Sequence, residues 1–123
     1  MTKLEIEYII NSSSRILFDR LSTAEGLSEW FADDVIVQNN IYTFVWDGVE
    51  EQAELLEKKD LSHVKFRWLE EDANTYFEFR INTHDLTNEL ALIITDFAID
   101  DEKEETIELW ETQIGNLRTL LGA

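Results

Sequence analysis

Cysteine is absent from this chain of 123 residues, which removes disulfides, thiolate metal sites and thiol nucleophiles together. Proline is absent too, so strands run uninterrupted and slow prolyl isomerisation is not expected to limit folding. No apolar run approaches the roughly 18 residues that a membrane-spanning helix needs. The opening residues MTKLEIEYIINSS hold one Lys and no long apolar core, so they do not read as a signal peptide. A cytoplasmic location is the resulting expectation.

Basic residues are also few: 10 Lys and Arg stand against 27 Asp and Glu, for a formal charge of -17. Residues 1–60 carry 13 acids and 5 bases, and residues 61–123 carry 14 and 5. The acidity is therefore spread over the chain and is not a tail. Such a surface repels phosphate backbones and anionic headgroups. No nucleic-acid partner and no membrane insertion are expected. The charge serves solubility, suits salty surroundings, and leaves a basic protein as the macromolecular partner that it would attract.

What is present is strong patterning. The length is that of one domain, 1–123, able to bury about two-thirds of its unfolded surface. Leu4, Ile6, Tyr8 and Ile10 alternate with Lys3, Glu5 and Glu7, the mark of a strand with one wet face. Asn11–Ser14 supply cap oxygens for a helix that buries Leu17, Phe18 and Leu21. Ser22 and Thr23 end it and cap a second short helix whose apolar side is Leu27, Trp30 and Phe31. Short strands follow. Val35–Val37 leads to an Asn39-Asn40 turn, and Ile41–Trp46 leads to Asp47-Gly48, the best hairpin signal in the chain. Val49–Lys58 is mostly charged. His63–Leu69 and Thr75–Thr83 alternate, and Asn88–Phe97 is apolar through its middle. From Asp100 to Leu121 the period turns helical, with Ile107, Trp110, Ile114, Leu117 and Leu121 at steps of three and four. About 20 helical residues span roughly 30 Å, enough to cross a sheet.

The order β-α-α-β-β-β-β-β-β-α predicts an α+β fold. Its curved antiparallel sheet of about six to seven strands is wrapped on a long C-terminal helix, and a cleft between the two is the natural ligand site. Several residues resemble a known pattern. Leu17, Phe18, Leu21, Ser22, Thr23, Ala24, Glu25, Leu27, Trp30 and Phe31 fill the positions of V-W-x-x-L-T-D-P-E-x-L-x-x-W-F. Tyr42–Trp46 with Asp47-Gly48, then Val64, Phe66 and Trp68, then Trp110, Ile114 and Leu117 follow in the same order. The chain thereby resembles the helix-grip fold of the START-like superfamily (SRPBCC, birch-pollen-allergen-like). Within it, the closest resemblance is to the group typified by the activator of heat-shock chaperone ATPase. It departs from that group at Asn39-Asn40, where the pattern has a glycine pair, and at Ala24, where it has proline.

The aromatic set is the leading candidate site. Trp30, Phe31, Tyr42, Phe44, Trp46, Phe66, Trp68, Phe77, Phe79 and Trp110, with Ile114 and Leu117, are expected to line a cavity for a small hydrophobic or amphipathic ligand, lipid or polyketide-like. The inward parity of Ile41–Trp46 is open, with Tyr42, Phe44 and Trp46 the favoured set. Trp30 and Phe31 are expected at the rim, across from Trp68 and Trp110. Tyr8, Tyr42, Thr95 and Gln113 are the polar groups placed near the mouth. The resemblance implies two further possibilities: a chaperone-associated protein-interaction role, or a cyclase or hydratase activity.

Other candidates read as structural. His63 alternates with apolar neighbours and should face solvent, His84 lies near a turn, and neither stands at a metal-ligand spacing. Asp33, Asp34 and Asp96 lie nearest the expected mouth, where capping and solvation explain them. Ser12–Ser14 have no nucleophile elbow or oxyanion loop near them. No catalytic residue, metal or cofactor is expected. Gly115, inside the long helix, either lets something approach closely or is simply tolerated.

Overall fold

The computed structural model describes residues 1–122. Strand β1 (Thr2–Ile10) alternates as its sequence requires, and Ile10 ends it fully inside. Ser13 then caps helix α1 (Ser14–Ser22), its Oγ accepting the Ile16 N–H at 3.1 Å. Thr23 closes α1 and opens helix α2 (Ala24–Ser28): its Oγ1 donates to the Asp19 carbonyl at 2.7 Å and accepts the Gly26 N–H at 2.9 Å. The two helices meet so closely at Gly26 that a Cβ there would stand 2.2 Å from the Asp19 oxygen and 2.7 Å from the Arg20 Cα. Only glycine fits that contact.

Helix α2 stops sooner than its apolar pattern suggests. Trp30 and Phe31 lie in the turn that follows it. Trp30 Nε1 donates to the Arg20 carbonyl at 2.7 Å, satisfying an acceptor that the last turn of α1 leaves open. The ring is thus spent on joining the helices.

Six strands then run as a meander: β2 (Asp34–Gln38), β3 (Ile41–Trp46), β4 (Val49–Lys59), β5 (His63–Trp68), β6 (Phe77–Thr83) and β7 (Leu90–Ala98). Asn39 turns the first hairpin with φ 57°, and Asp47 and Gly48 turn the second at 50° and 78°. Two consecutive positive φ values give the turn whose twist matches paired strands. β1 crosses over to pair with β7, so the antiparallel sheet reads β1-β7-β6-β5-β4-β3-β2. Tyr42 and Phe44 point inward, which settles the parity of β3. A bulge between Leu55 and Glu57 shifts the β4–β5 register and puts Glu57 opposite Lys65.

The outer face is laced by ion pairs, among them Arg67–Glu54 at 3.1 Å and Lys65–Glu57 at 3.6 Å. Arg15 clamps α1 to the β4–β5 turn through both Asp60 oxygens, at 2.9 and 2.7 Å.

A 3₁₀ turn (Asp100–Glu102) leads into helix α3 (Lys103–Leu121), which ends on Gly122 at φ 71°. Trp110, Ile114 and Leu117 face the sheet and are buried. Three polar contacts hold the helix down. Trp110 Nε1 donates to Asp96 Oδ2 of β7 at 2.9 Å, Gln113 Nε2 donates to the Phe31 carbonyl at 3.0 Å, and Arg118 Nη2 donates to the Ile9 carbonyl of β1 at 2.8 Å. Gly115 looks onto open space, with nothing within 4 Å of a built Cβ, so no strand or other part of the fold approaches closely there. Among the described residues no helix is long and apolar enough to cross a membrane.

Candidate functional site

Between α3 and one end of the sheet lies an open cavity of about 310 Å³. Its aromatic walls come from strand ends. Trp46 is the last residue of β3, Trp68 the last of β5, and Phe77 the first of β6. Phe31 enters from the turn after α2, and Trp110 descends from α3. Trp68 stacks on Phe77 with centroids 4.9 Å apart, and Phe31 lies nearly parallel to Trp110 at 5.8 Å. Phe31 also meets the Trp46 ring edge-on at 5.3 Å. Thr106, Leu109 and Gln113 complete the α3 side, and Asp96 supplies the charged group in the wall. Leu109 is 66 % exposed and forms the lip.

Two wider concavities adjoin it. One, of about 820 Å³, runs between α3 and residues 28–33 and shares Phe31, Trp46, Leu109 and Gln113 with the cavity. The other, of about 680 Å³, shares Trp68 and is otherwise lined by Glu50–Gln52 and Leu69–Glu71.

Asp96 stands where β7 passes beneath Trp110. Its Oδ1 accepts the Phe97 N–H at 2.8 Å, and its Oδ2 accepts the Trp110 indole. Burial pushes this carboxyl above the usual carboxylate range, and those two hydrogen bonds oppose the shift without cancelling it. Glu71 is raised as well, first by its own burial and then by the nearby charges of Asp96 and Glu51.

The residues expected to line one cavity divide into three sets. Phe31, Trp46, Trp68, Phe77 and Trp110 come together on its wall. Trp30 lines only the wider groove beside α3. Tyr42, Phe44, Phe66, Phe79, Ile114 and Leu117 lie deeper, in the solid core. They occupy middle positions of their strands and helix, where rings interlock: Tyr42 meets Phe66 edge-on at 4.9 Å, and Phe79 meets Trp110 at 5.7 Å.

Of Tyr8, Tyr42, Thr95 and Gln113, the polar groups expected near the mouth, only Gln113 lines the cavity. Tyr42 Oη donates to the buried Ser22 carbonyl at 3.0 Å, and burial raises its phenol. Tyr8 lies by Arg118, whose guanidinium carbon is 5.8 Å from the ring. Burial and Glu111 raise the Tyr8 phenol, and Arg118 partly offsets them. Thr95 is buried on β7.

Asp33 Oδ2 accepts the Asp47 N–H at 2.8 Å, and Asp34 Oδ1 accepts the Val35 N–H at 2.9 Å. Both serve turns, as Asp commonly does. His63 points outward but is not bathed in solvent. Its side chain is 12 % exposed, set between Ser62 Oγ at 3.0 Å and Glu57 Oε1 at 3.2 Å. The β4 bulge puts Glu57 opposite Lys65, within reach of His63, and this covers the ring. His84 sits in a turn with Nε2 3.9 Å from Glu7. Among the described residues no group of three or more His, Asp or Glu is arranged to hold a metal ion.

Sequence reasoning passed over Asp96 as a wall residue, along with Thr106, Leu109 and Gly26. A signal for Asp96 was available. Leu90, Leu92 and Ile94 form an inward-facing series with period two, and Asp96 is its next member.

A family model described as the START-like superfamily domain matches residues 1–123. No curated protein matches the sequence significantly. Among solved structures, the solution structure of BfR322 from Bacteroides fragilis is 35% identical over 97% of this chain and 90% of its own, with a TM-score of 0.69. The Aha1 dimer from Colwellia psychrerythraea is 16% identical over 98% of this chain and 96% of its own, with a TM-score of 0.82. DynU16, a protein of the dynemicin biosynthetic locus, is 12% identical with a TM-score of 0.82; the match spans 98% of this chain and 47% of that one.

Proposed function

Because the chain belongs to the START-like superfamily, whose members often bind hydrophobic ligands, we propose that it is a binding module for a small apolar or amphipathic molecule held between α3 and the sheet. The observation that carries this reading is the aromatic cavity itself. Five rings and Leu109 frame about 310 Å³ of open space between α3 and the strand ends. The concavity is open at the Leu109 lip, and its volume lies at the lower end of the range for small-molecule sites. The adjoining groove beside α3 gives a longer ligand room to extend. Asp96 is the one acidic or basic side chain on the wall, and both its oxygens already accept protein hydrogen bonds. The reading assigns the wall to binding; acid–base chemistry would need a group placed against a reacting proton.

Three of the four tryptophans line the cavity, so occupancy should alter indole emission. Titration with small neutral aromatics and medium-chain alcohols should give a saturable change in fluorescence and a rise in melting temperature. Ligand at a hundredfold excess over Kd stabilises by about 2.7 kcal/mol. No response from any class would overturn the reading.

A second reading, a chaperone-associated interaction domain, draws on the fold shared with the Aha1 dimer and on the charge of -17. A basic protein partner held this way should dissociate as salt rises. A complex that survives high salt, or none at low salt, would count against it.

A further inference from the structure

Resting on the cavity reading, we infer that the ligand is an organic cation: an ammonium group carried on an apolar body. The argument begins with the wall. Trp46, Trp68 and Trp110 bring indole rings to one small space, and an aromatic face attracts a cation through its quadrupole, tryptophan most strongly. The one charged side chain among them is the Asp96 carboxylate. Each Asp96 oxygen accepts one protein hydrogen bond. A carboxylate has about four acceptor positions, so capacity remains for a ligand.

What adjoins the wall favours the same charge. The groove that shares Trp46 has Glu29 and Asp33 as its charged members, and the concavity that shares Trp68 has Glu50, Glu51, Glu70 and Glu71. No Lys, Arg or His lines any of the three. A fatty acid or a phosphate ester would set its anion beside the half-buried Asp96 with no base to neutralise either charge, and like charges at close range repel. An ammonium gains both the carboxylate and the rings.

Three probes of equal chain length separate the possibilities: octyltrimethylammonium, octanol and octanoate. Each is titrated below its micelle concentration, at fixed moderate salt, with tryptophan emission as the readout. The ammonium should bind about tenfold more tightly than the alcohol, and octanoate most weakly. In Asp96→Asn the ammonium should fall to within about threefold of the alcohol while alcohol affinity holds. That substitution changes the charge of -17 by one unit, so general attraction to an acidic surface would survive it.

An ammonium preference undiminished in Asp96→Asn would overturn the inference, as would octanol or octanoate binding as tightly as the ammonium. Binding of none of the three would overturn the cavity reading on which it rests. If Asp96→Asn does not fold, Trp68→Leu takes its place and should weaken the ammonium more than the alcohol; equal losses would overturn the inference.

Discussion

Gln113 donates from Nε2 to the Phe31 carbonyl at 3.0 Å and shares that oxygen with Trp46 Nε1 at 2.8 Å. A single backbone acceptor thereby ties α3, the turn after α2 and the end of β3 around one side of the cavity. Either donor alone still satisfies the oxygen. Gln113→Leu and Trp46→Phe should each lose about 0.5–1.5 kcal/mol from this contact, the usual worth of one hydrogen bond. The double variant leaves the carbonyl bare, so its cost should exceed the sum of the two. Equilibrium urea unfolding of the four proteins measures that coupling; strict additivity would contradict the shared acceptor.

Gly26 and Gly115 make opposite predictions from the same substitution. At Gly26 a methyl group collides with the backbone of α1, and Gly26→Ala should destabilise by about 1–3 kcal/mol. At Gly115 the methyl meets nothing, and Gly115→Ala should stabilise α3 by about 0.5–1 kcal/mol. Denaturant midpoints of both variants decide the matter.

Core and wall aromatics should separate in the same way. Phe66 is fully buried, so Phe66→Ala should cost about 3–5 kcal/mol. Trp68, the second residue after it, is half-buried on the cavity. Trp68→Leu should cost only roughly 1 kcal/mol, yet change the ligand titration. A Trp68 variant that loses as much stability as the Phe66 variant would place its ring in the core.

Stability should respond to pH through groups shifted in opposite directions. Asp96 and Glu71 are raised, so the folded state holds their protons more tightly than the unfolded chain does. Their contribution is present in acid and is lost as pH climbs from the ordinary carboxylate range through their raised values. Glu57, Asp60 and Asp100 are lowered, chiefly by hydrogen bonds from His63, Arg15 and Thr2 respectively. Their contribution is present near neutrality and is lost as pH falls through the depressed values. Asparagine carries no charge but has a single acceptor oxygen, so Asp96→Asn gives up one of the two hydrogen bonds at every pH. The trend with pH carries the sign: the parent should gain stability relative to Asp96→Asn as pH falls. A parent that loses stability relative to the variant in acid would reverse the assigned sign.

Moderate sodium chloride should raise the melting temperature, since it screens the self-repulsion of a charge of -17. A fall between low and moderate salt would refute that account.

Periodicity and turn chemistry carry far in this chain. Asn39 and Asp47-Gly48 sit at positive φ because those residues tolerate it. Alternation in β1, β5 and β6 separates the inner face from the outer. What alternation cannot express is the distance from a strand residue to the helix above it. Phe44, Phe66 and Phe79 belong to the same inward series as Trp46, Trp68 and Phe77. Only where each falls along its strand decides whether it meets α3 or open space. The crossover of β1 to β7 was equally hidden, because the pairing of distant strands leaves no local mark. Trp30 and Phe31 were misplaced onto α2 because their spacing suits a helix, whereas the Trp30 indole answers to a carbonyl of α1.

That crossover also orders events in time. Each of the other strand pairs joins neighbours in sequence, while β1 must find a partner between 80 and 96 residues away, from Ile10–Leu90 to Thr2–Ala98. Long-range pairings form late because the intervening loop must first be closed. Until β1 arrives, the apolar strand β7 is a bare sheet edge, a template for other chains. In pulsed hydrogen exchange during refolding, amides shared by β6 and β7 should gain protection before those of β1. The interval between them is the period in which this protein is most prone to aggregate.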